Sequence, residues 1–355
     1  MANDKGINKK RKREIIYAIL ATLIIVLGTW FYYKYYYVED SVNTPIILEV
    51  EDGTSSEIAT IDTSQTTTEV ISESITEVNG VLHVHMIDCG QGDSFLFEQN
   101  GKYGLIDCGT RGTGKDVVKY LQDQGVKKLE FVVGTHPHDD HMGGMYAVLS
   151  AFTCKKVYMP KIEDGLITTN WYMQLMQKII VDNIKVINPK INDKFHLGEA
   201  IFKVVGQLSP EEAGTNINNY STVIKVSFGS MDILMTGDAE KEVEEELLKS
   251  KTDEIQCEIL KIGHHGSDSS TTSAFLKAVD PDYGLISCEI GNKYLHPSTE
   301  TVLNLKKHKV KVYRTDEGGS VILTISKDDV EFDKKSGDYK DGKTIASNQS
   351  KKGGS

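Results

Sequence analysis

Between the apolar run Phe131-Val132-Val133 and the pair Gly143-Gly144, the chain places three histidines and two aspartates within six residues, His136-Pro137-His138-Asp139-Asp140-His141. A strand that delivers such a loop must end where imidazoles and carboxylates can turn inward together, and that donor set is the one zinc, manganese or iron prefers. His136 and His138 alternate to one side, while Asp140 and His141 can reach a second position, so the spacing provides for two ions. Two later phrases repeat the order of strand, glycine and ligand: Ile233-Leu234-Met235-Thr236-Gly237-Asp238 and Leu260-Lys261-Ile262-Gly263-His264-His265-Gly266-Ser267. Taken singly, the first phrase is also readable as a solvated polar loop, and Asp238 as the N-cap of the helix that follows it. Together the three phrases aim their ligands at one rim.

The alternation around these phrases predicts a mixed α/β domain over residues 80–335. From Val81 onward, short apolar runs are separated by Gly, Asn and Asp, as strands are. Phe95 to Glu98 and Tyr103 to Ile106 flank Asn100-Gly101, a pair suited to a type I′ hairpin because both central positions need positive φ. A helix is expected from Lys115 to Gln124, stopped by Gly125, and a buried strand from Leu129 to Val133. Strands and helices then alternate as far as Lys311 to Arg314, over a length that fits one domain. The pattern suggests two sheets, each covered by helices.

Residues Ile15 to Tyr33 run 19 positions without a charge, close to the roughly 20 that cross a bilayer as a helix. Lys9-Lys10-Arg11-Lys12-Arg13 precedes the run and Glu39-Asp40 follows it. By the positive-inside rule this implies a cytoplasmic basic segment (1–14), a single-pass anchor in the cell membrane (15–37) and an extracytoplasmic remainder. No small-x-small cleavage site follows the run. Residues 38–79 turn to Ser, Thr, Glu and Asp and read as a flexible acidic stalk, and residues 336–355 read as a disordered tail. Of the net charge of −11, residues 1–40 contribute +3 (seven Lys/Arg, four Asp/Glu) and the remainder −14 (33 against 47). Long-range attraction for nucleic acid is therefore weak. Five scattered cysteines without a CxxC pair exclude a disulfide framework; most read as small core residues, and a single bridge from Cys89 to Cys108 is left open.

The HxHxDH phrase, Leu105-Ile106-Asp107-Cys108-Gly109 upstream of it, the Thr-Gly-Asp and the His-His-Gly-Ser together resemble the metallo-β-lactamase-fold superfamily. Met86-Ile87-Asp88-Cys89-Gly90-Gln91-Gly92-Asp93-Ser94, the LKIGHHGS phrase and Asn292-Lys293-Tyr294-Leu295-His296-Pro297-Ser298 resemble its competence-type branch. That branch includes the hydrolase domain of DNA-uptake channel proteins and surface phosphorylcholine esterases. The resemblance runs from Val81 to Ile325 and implies a four-layer αββα sandwich with two divalent ions, zinc or manganese, at one edge.

On the same resemblance, His136 and His138 hold one ion, Asp140 and His141 the other, and Asp238 bridges them. One of His264 and His265 is a further ligand, with His265 favoured, and the other contacts substrate. Asp107 orients the metal loop from outside it, unless it is only a turn residue before Gly109. His296 stands near the active site as a proton donor or phosphate contact, against a loop-structural role, and Asn219 and Ser267 are placed beside metal or substrate. In one departure, many members supply another ligand histidine before the bridging aspartate. The candidate here, His196, lies in a turn where an exposed histidine is the simpler reading.

The expected reaction is hydrolysis of a phosphodiester by a water that the ions acidify, with Asp140, His264 and His296 as catalytic groups. The resemblance offers DNA or an envelope polymer as substrate, and no protein partner is expected. A β-lactam target rests on fold alone. A surface binding or sensing module without turnover is the reading from another class, but it has no need of six metal-capable residues at strand ends.

Overall fold

The structure, a computed structural model, describes residues 78–250 and 254–352. The expected basic segment, the anchor and all but the end of the stalk lie outside them. Among the described residues no helix is long and apolar enough to cross a membrane.

The chain builds an eight-stranded and a seven-stranded sheet. The first begins with β1 (Leu82–Met86), β2 (Phe95–Gln99), β3 (Lys102–Ile106), β4 (Phe131–Val133), β5 (Lys156–Tyr158) and β6 (Lys185–Ile187). The second holds β7 (Lys194–Leu197), β8 (Ala200–Gly206), β9 (Val223–Phe228), β10 (Met231–Met235), β11 (Ile259–Lys261), β12 (Tyr283–Ile286) and β13 (Lys311–Arg314). The chain then returns to the first sheet with β14 (Val321–Ile325) and β15 (Val330–Phe332). Strand orders are β15-β14-β1-β2-β3-β4-β5-β6 and β13-β12-β11-β10-β9-β8-β7. Each sheet is antiparallel in one half and parallel in the other, along β3 to β6 and β10 to β13 respectively.

Side-chain alternation sorts these strands into layers. In β3 and β4, Ile106 and Val133 face the opposite sheet while Leu105 and Val132 face outward, the period of two that strand pleating imposes. Between the sheets Phe131 packs against Phe195 and Phe202, with ring centroids 4.9 and 5.1 Å away. Helices α1 (Gly114–Asp123), α2 (Met145–Ala151) and α3 (Asn170–Val181) cover the first sheet with Val117, Leu121, Val148 and Leu175. Helices α4 (Lys241–Ser250), α5 (Ser273–Val279) and α6 (Thr299–Lys307) cover the second with Val243, Leu247, Leu276 and Leu305. The result is the four-layer αββα arrangement.

The Asn100-Gly101 hairpin is present, both residues having positive φ (52° and 72°) and Gln99 pairing with Lys102. The strand expected over Leu129 to Val133 divides at Glu130, because Lys128–Leu129 pairs with Thr153–Cys154 in a separate short ladder. No Cys89–Cys108 bridge forms, and all five cysteines are free and buried.

Residues 336–352, expected as part of a disordered tail, are hydrogen-bonded to the domain and end in a helix. Gly337 N donates to Val312 O at 2.7 Å, and the Tyr339 hydroxyl donates to Val310 O at 2.7 Å. The buried guanidinium of Arg314 donates to the carbonyls of Asp338 (3.2 Å) and Lys340 (2.6 Å), and helix α7 (Gly342–Lys352) follows. A polar composition does not reveal that backbone carbonyls in the tail satisfy a charge buried elsewhere. Deleting residues 336–355 is accordingly expected to cost roughly 2 to 3 kcal/mol, the range for removing partners of a buried charged donor. Denaturant unfolding checks this, and a midpoint unchanged from the full chain would sink it.

Candidate metal centre

Every group expected at the rim lies just past the carboxyl end of a parallel strand. Asp107 follows β3, His136 lies three residues past β4, Asp238 three past β10, and His264 and His265 follow β11. Open parallel sheets place ligands beyond these ends because the loops to their crossovers diverge there.

The loop after β4 is gripped from beneath by Asp107, which has a φ of 59° and is buried. Its Oδ1 accepts from the Thr135 amide (2.8 Å) and its Oδ2 from the Thr135 hydroxyl (2.7 Å). Oδ2 also lies 2.8 Å from His141 Nδ1. With Nδ1 taken up there, His141 presents Nε2 to Asp238 Oδ1 at 3.2 Å. Cys108 N donates to His141 O (2.7 Å) and Asp93 N to Asp140 O (3.0 Å). These contacts leave no room for side chains at two glycines: a Cβ on Gly144 would meet the Cys108 carbonyl, and one on Gly92 the Asp140 carbonyl.

Asp140, His141, Asp238 and His265 each bring a donor atom within 4.8 Å of the others. His265 Nε2 lies 3.4 Å from Asp140 Oδ2 and 3.5 Å from Asp238 Oδ2. A second group gathers on the same Asp238 oxygen. His136 Nε2 is 3.9 Å away and 3.0 Å from His138 Nδ1, and His264 Nε2 is 3.7 Å away. Asp238 thus faces His141 with Oδ1 and His136, His264 and His265 with Oδ2. His264 and His265 both reach it because each has positive φ (48° and 55°), a conformation that costs free energy and is kept mainly at functional sites.

Among the buried polar atoms here without a hydrogen-bond partner are His141 Nε2, Asp238 Oδ1 and His265 Nε2. They belong to one four-donor set, so the residues present fit a divalent cation. The electrostatics agree. Burial alone would lower His141 and His265, but Asp238 with Asp107 lifts the first well above the ordinary imidazole value, and Asp238 with Asp93 pushes the second up to about 10. Burial alone would raise Asp140 and Asp238, yet the neighbouring imidazoles hold both low. A field strong enough to keep protons on those rings equally favours a metal ion in their place.

Four supporting groups carry no signal in the spacing. Asp93 Oδ2 pairs with the fully buried Lys261 Nζ at 2.7 Å, and its Oδ1 lies 3.3 Å from His265 Nδ1. Lys261 Nζ also donates to the carbonyls of Gly237 (3.0 Å) and Ile262 (2.9 Å). Ser221 Oγ accepts from Asp238 N (3.1 Å) and lies 3.3 Å from His136 Nδ1. Glu240 accepts from Asn216, Asn218 and Ser269 and lies 3.3 Å from His264 Nδ1, which draws its carboxyl down to about 2. Lys261 ends β11 three residues before His264, and nothing in that spacing marks it as buried. Its role appears only when the two sheets meet.

A cleft of about 270 Å³ opens over the centre, lined by residues that include His138, Asp140, Asp238, His264, His265, Tyr294 and His296. His296 stacks on Tyr294 with centroids 5.6 Å apart, and burial with nearby His265 and His264 draws its imidazole down to about 4. Two expected residues are not brought to the cleft. Asn219 donates to Glu242 (3.3 Å), and Ser267 bonds Ser269 (3.0 Å), shaping the loop that holds His264. His196 is exposed on β7, paired with Ile201.

The family model described as the metallo-beta-lactamase superfamily matches residues 87–289. The chain belongs to that superfamily. Among curated proteins it is similar to ComE operon protein 3 of Bacillus subtilis, 29% identical over 256 residues, covering 67% of this chain and 32% of that protein. It is likewise similar to Competence protein ComA of Neisseria gonorrhoeae (31% over 241 residues, 66% and 31%) and Recombination protein 2 of Haemophilus influenzae (30% over 255 residues, 70% and 29%). The competence-type resemblance is thereby borne out, and the metallo-beta-lactamase fold is that of metal-dependent hydrolases. This chain spans about a third of the length of these relatives.

The Lys261–Asp93 pair supplies a stability test independent of turnover. Lys261→Met leaves a buried carboxylate short of its cation and is expected to cost about 3 to 5 kcal/mol. Adding Asp93→Asn should recover part of that loss in a double-mutant cycle measured by denaturant unfolding. Additive losses would rule out the coupling.

Proposed function

We propose that this chain is a metal-dependent phosphodiesterase, its two ions zinc or manganese, displayed outside the cell membrane by an N-terminal anchor over residues 15–37. The observation that carries the reading is the set of partnerless buried donors, His141 Nε2, Asp238 Oδ1 and His265 Nε2, in one four-donor set whose members Asp140, Asp238 and His265 line a cleft walled by further imidazoles. In this reading His136, His138 and Asp238 hold one ion, and Asp140, His141, Asp238 and His265 the other.

Divalent ions bound there would supply Lewis acidity to a phosphoryl oxygen and to water. The chain's own groups supply the rest. Asp140, kept ionised, can accept a proton. His264 has Nδ1 occupied by Ser269 (3.1 Å) and Glu240 and turns Nε2 to the cleft, where it can donate a proton to the leaving oxygen. His296, drawn down to about 4, stays neutral at pH 7 and acts as a hydrogen-bonding contact for a phosphoryl oxygen. The cleft falls just below the roughly 300 to 1,000 Å³ of small-ligand pockets, so the scissile group enters and the rest of a polymer lies across the mouth. The names of the competence and recombination relatives put nucleic acid among the candidate polymers, and an envelope phosphodiester is the other.

The test uses the full chain in detergent: metal content, then hydrolysis of bis-p-nitrophenyl phosphate with zinc or manganese. Asp140→Ala and His265→Ala should each lower turnover more than about 100-fold, since losing even an outer-shell partner costs roughly 10- to 100-fold. A folded chain that binds no metal and cleaves nothing would make this a surface binding module instead.

A further inference from the structure

The loop that carries Tyr294 and His296 into the cleft does not stand alone. On its inner side Asn292 Nδ2 donates to His296 O (2.7 Å), His296 N donates to Asn292 Oδ1 (3.0 Å), and Ser298 N ties the loop to Gly266 O beside the His264-His265 pair (2.7 Å). Its outer side is covered by the C-terminal segment. Gly342 N donates to Pro297 O at 2.8 Å, and the Thr299 hydroxyl donates to Asp341. The backbones run so close that a Cβ on Gly342 would collide with the Leu295 carbonyl, and the Gln349 side chain reaches Gly291. Asp341 also caps the start of α7, accepting from Thr344 N at 2.8 Å. The segment is pinned at its other end by Arg314 and Val310, so it spans from the edge strand β13 to the cleft loop.

We propose that residues 338–349 are a positioning element for the active site, holding Tyr294 and His296 in register with the metal centre. The inference rests on the phosphodiesterase reading for its activity arm alone. With its inner side held by Asn292 and by the Ser298 bond to Gly266, the loop keeps the freedom to tilt outward from the cleft. Two further attachments on the opposite side remove that freedom, and misplacement of a substrate contact by about 1 Å can cost on the order of 100-fold.

The experiment compares the full chain with Gly342→Val and Asp341→Ala, and with Leu175→Ala as a control that destabilises the helix layer on the first sheet. Four quantities are measured: hydrogen exchange of residues 289–298, metal content, melting temperature, and kcat and KM for bis-p-nitrophenyl phosphate. Both tail variants should speed exchange of the loop and lower kcat/KM by on the order of 10- to 100-fold, with metal content unchanged. The control should lower the melting temperature with kcat/KM intact. Unchanged loop exchange overturns the proposal, as does faster exchange with kcat and KM unaltered, or an activity loss matched by the control at equal melting temperature. If the parent chain cleaves nothing while the tail variants still loosen the loop, the clamp stands and the phosphodiesterase reading falls.

Discussion

Three carboxylates, those of Asp93, Asp107 and Asp238, are each about 1% exposed in the same corner of the molecule. Burying one charge without a partner is expensive, and burying three together is prohibitive unless each is answered. Much of the architecture can be understood as that answer. Asp107 receives an amide and a hydroxyl from Thr135 and an imidazole from His141, while Asp93 receives the ammonium of Lys261. Asp238 is left with imidazoles and one oxygen without a hydrogen bond, the point where a divalent ion completes the balance.

The answering groups come from both sheets, so the site exists only where the two sheets meet. Ser287, one residue past β12, donates its hydroxyl to Gly92 O at 2.6 Å, and its own carbonyl meets His265 Nδ1 at 2.9 Å. The short loop Gly90 to Asp93 therefore touches the metal loop on one side and the second sheet on the other. Packing of Phe131, Phe195 and Phe202 between the sheets sets the spacing at which these polar bonds close. Core and centre are one construction problem solved twice, in apolar contacts below and in charge pairs above.

The layers were legible in the sequence because alternation and glycine spacing report on local backbone, and the hairpin at Asn100-Gly101 and the strand ends before Thr135, Asp238 and His264 are local features. The metal-capable residues announced themselves by density. Lys261 and Glu240 did not, since each serves a residue more than 20 positions away or on another element, and no pattern along the chain encodes such a meeting. Tail order was misjudged for the same reason: Arg314 selects the carbonyls of Asp338 and Lys340, and a carbonyl is present in every residue. The anchor and stalk fall outside the described residues, so the reading of them rests on hydropathy and composition.

The first strand of the domain depends on nearly the last for one of its two edges. β1 lies between β2 and β14, and His83 meets Thr324 across 241 positions of chain. Pairings of such long range close late, because the entropy of the intervening loop must be overcome before the contact rewards it. Until β14 arrives, β1 has an open edge, and the carboxylates beyond it remain in water, where they cost nothing. Until that pairing closes, the chain holds a scatter of hydrated acids and imidazoles rather than a formed metal centre.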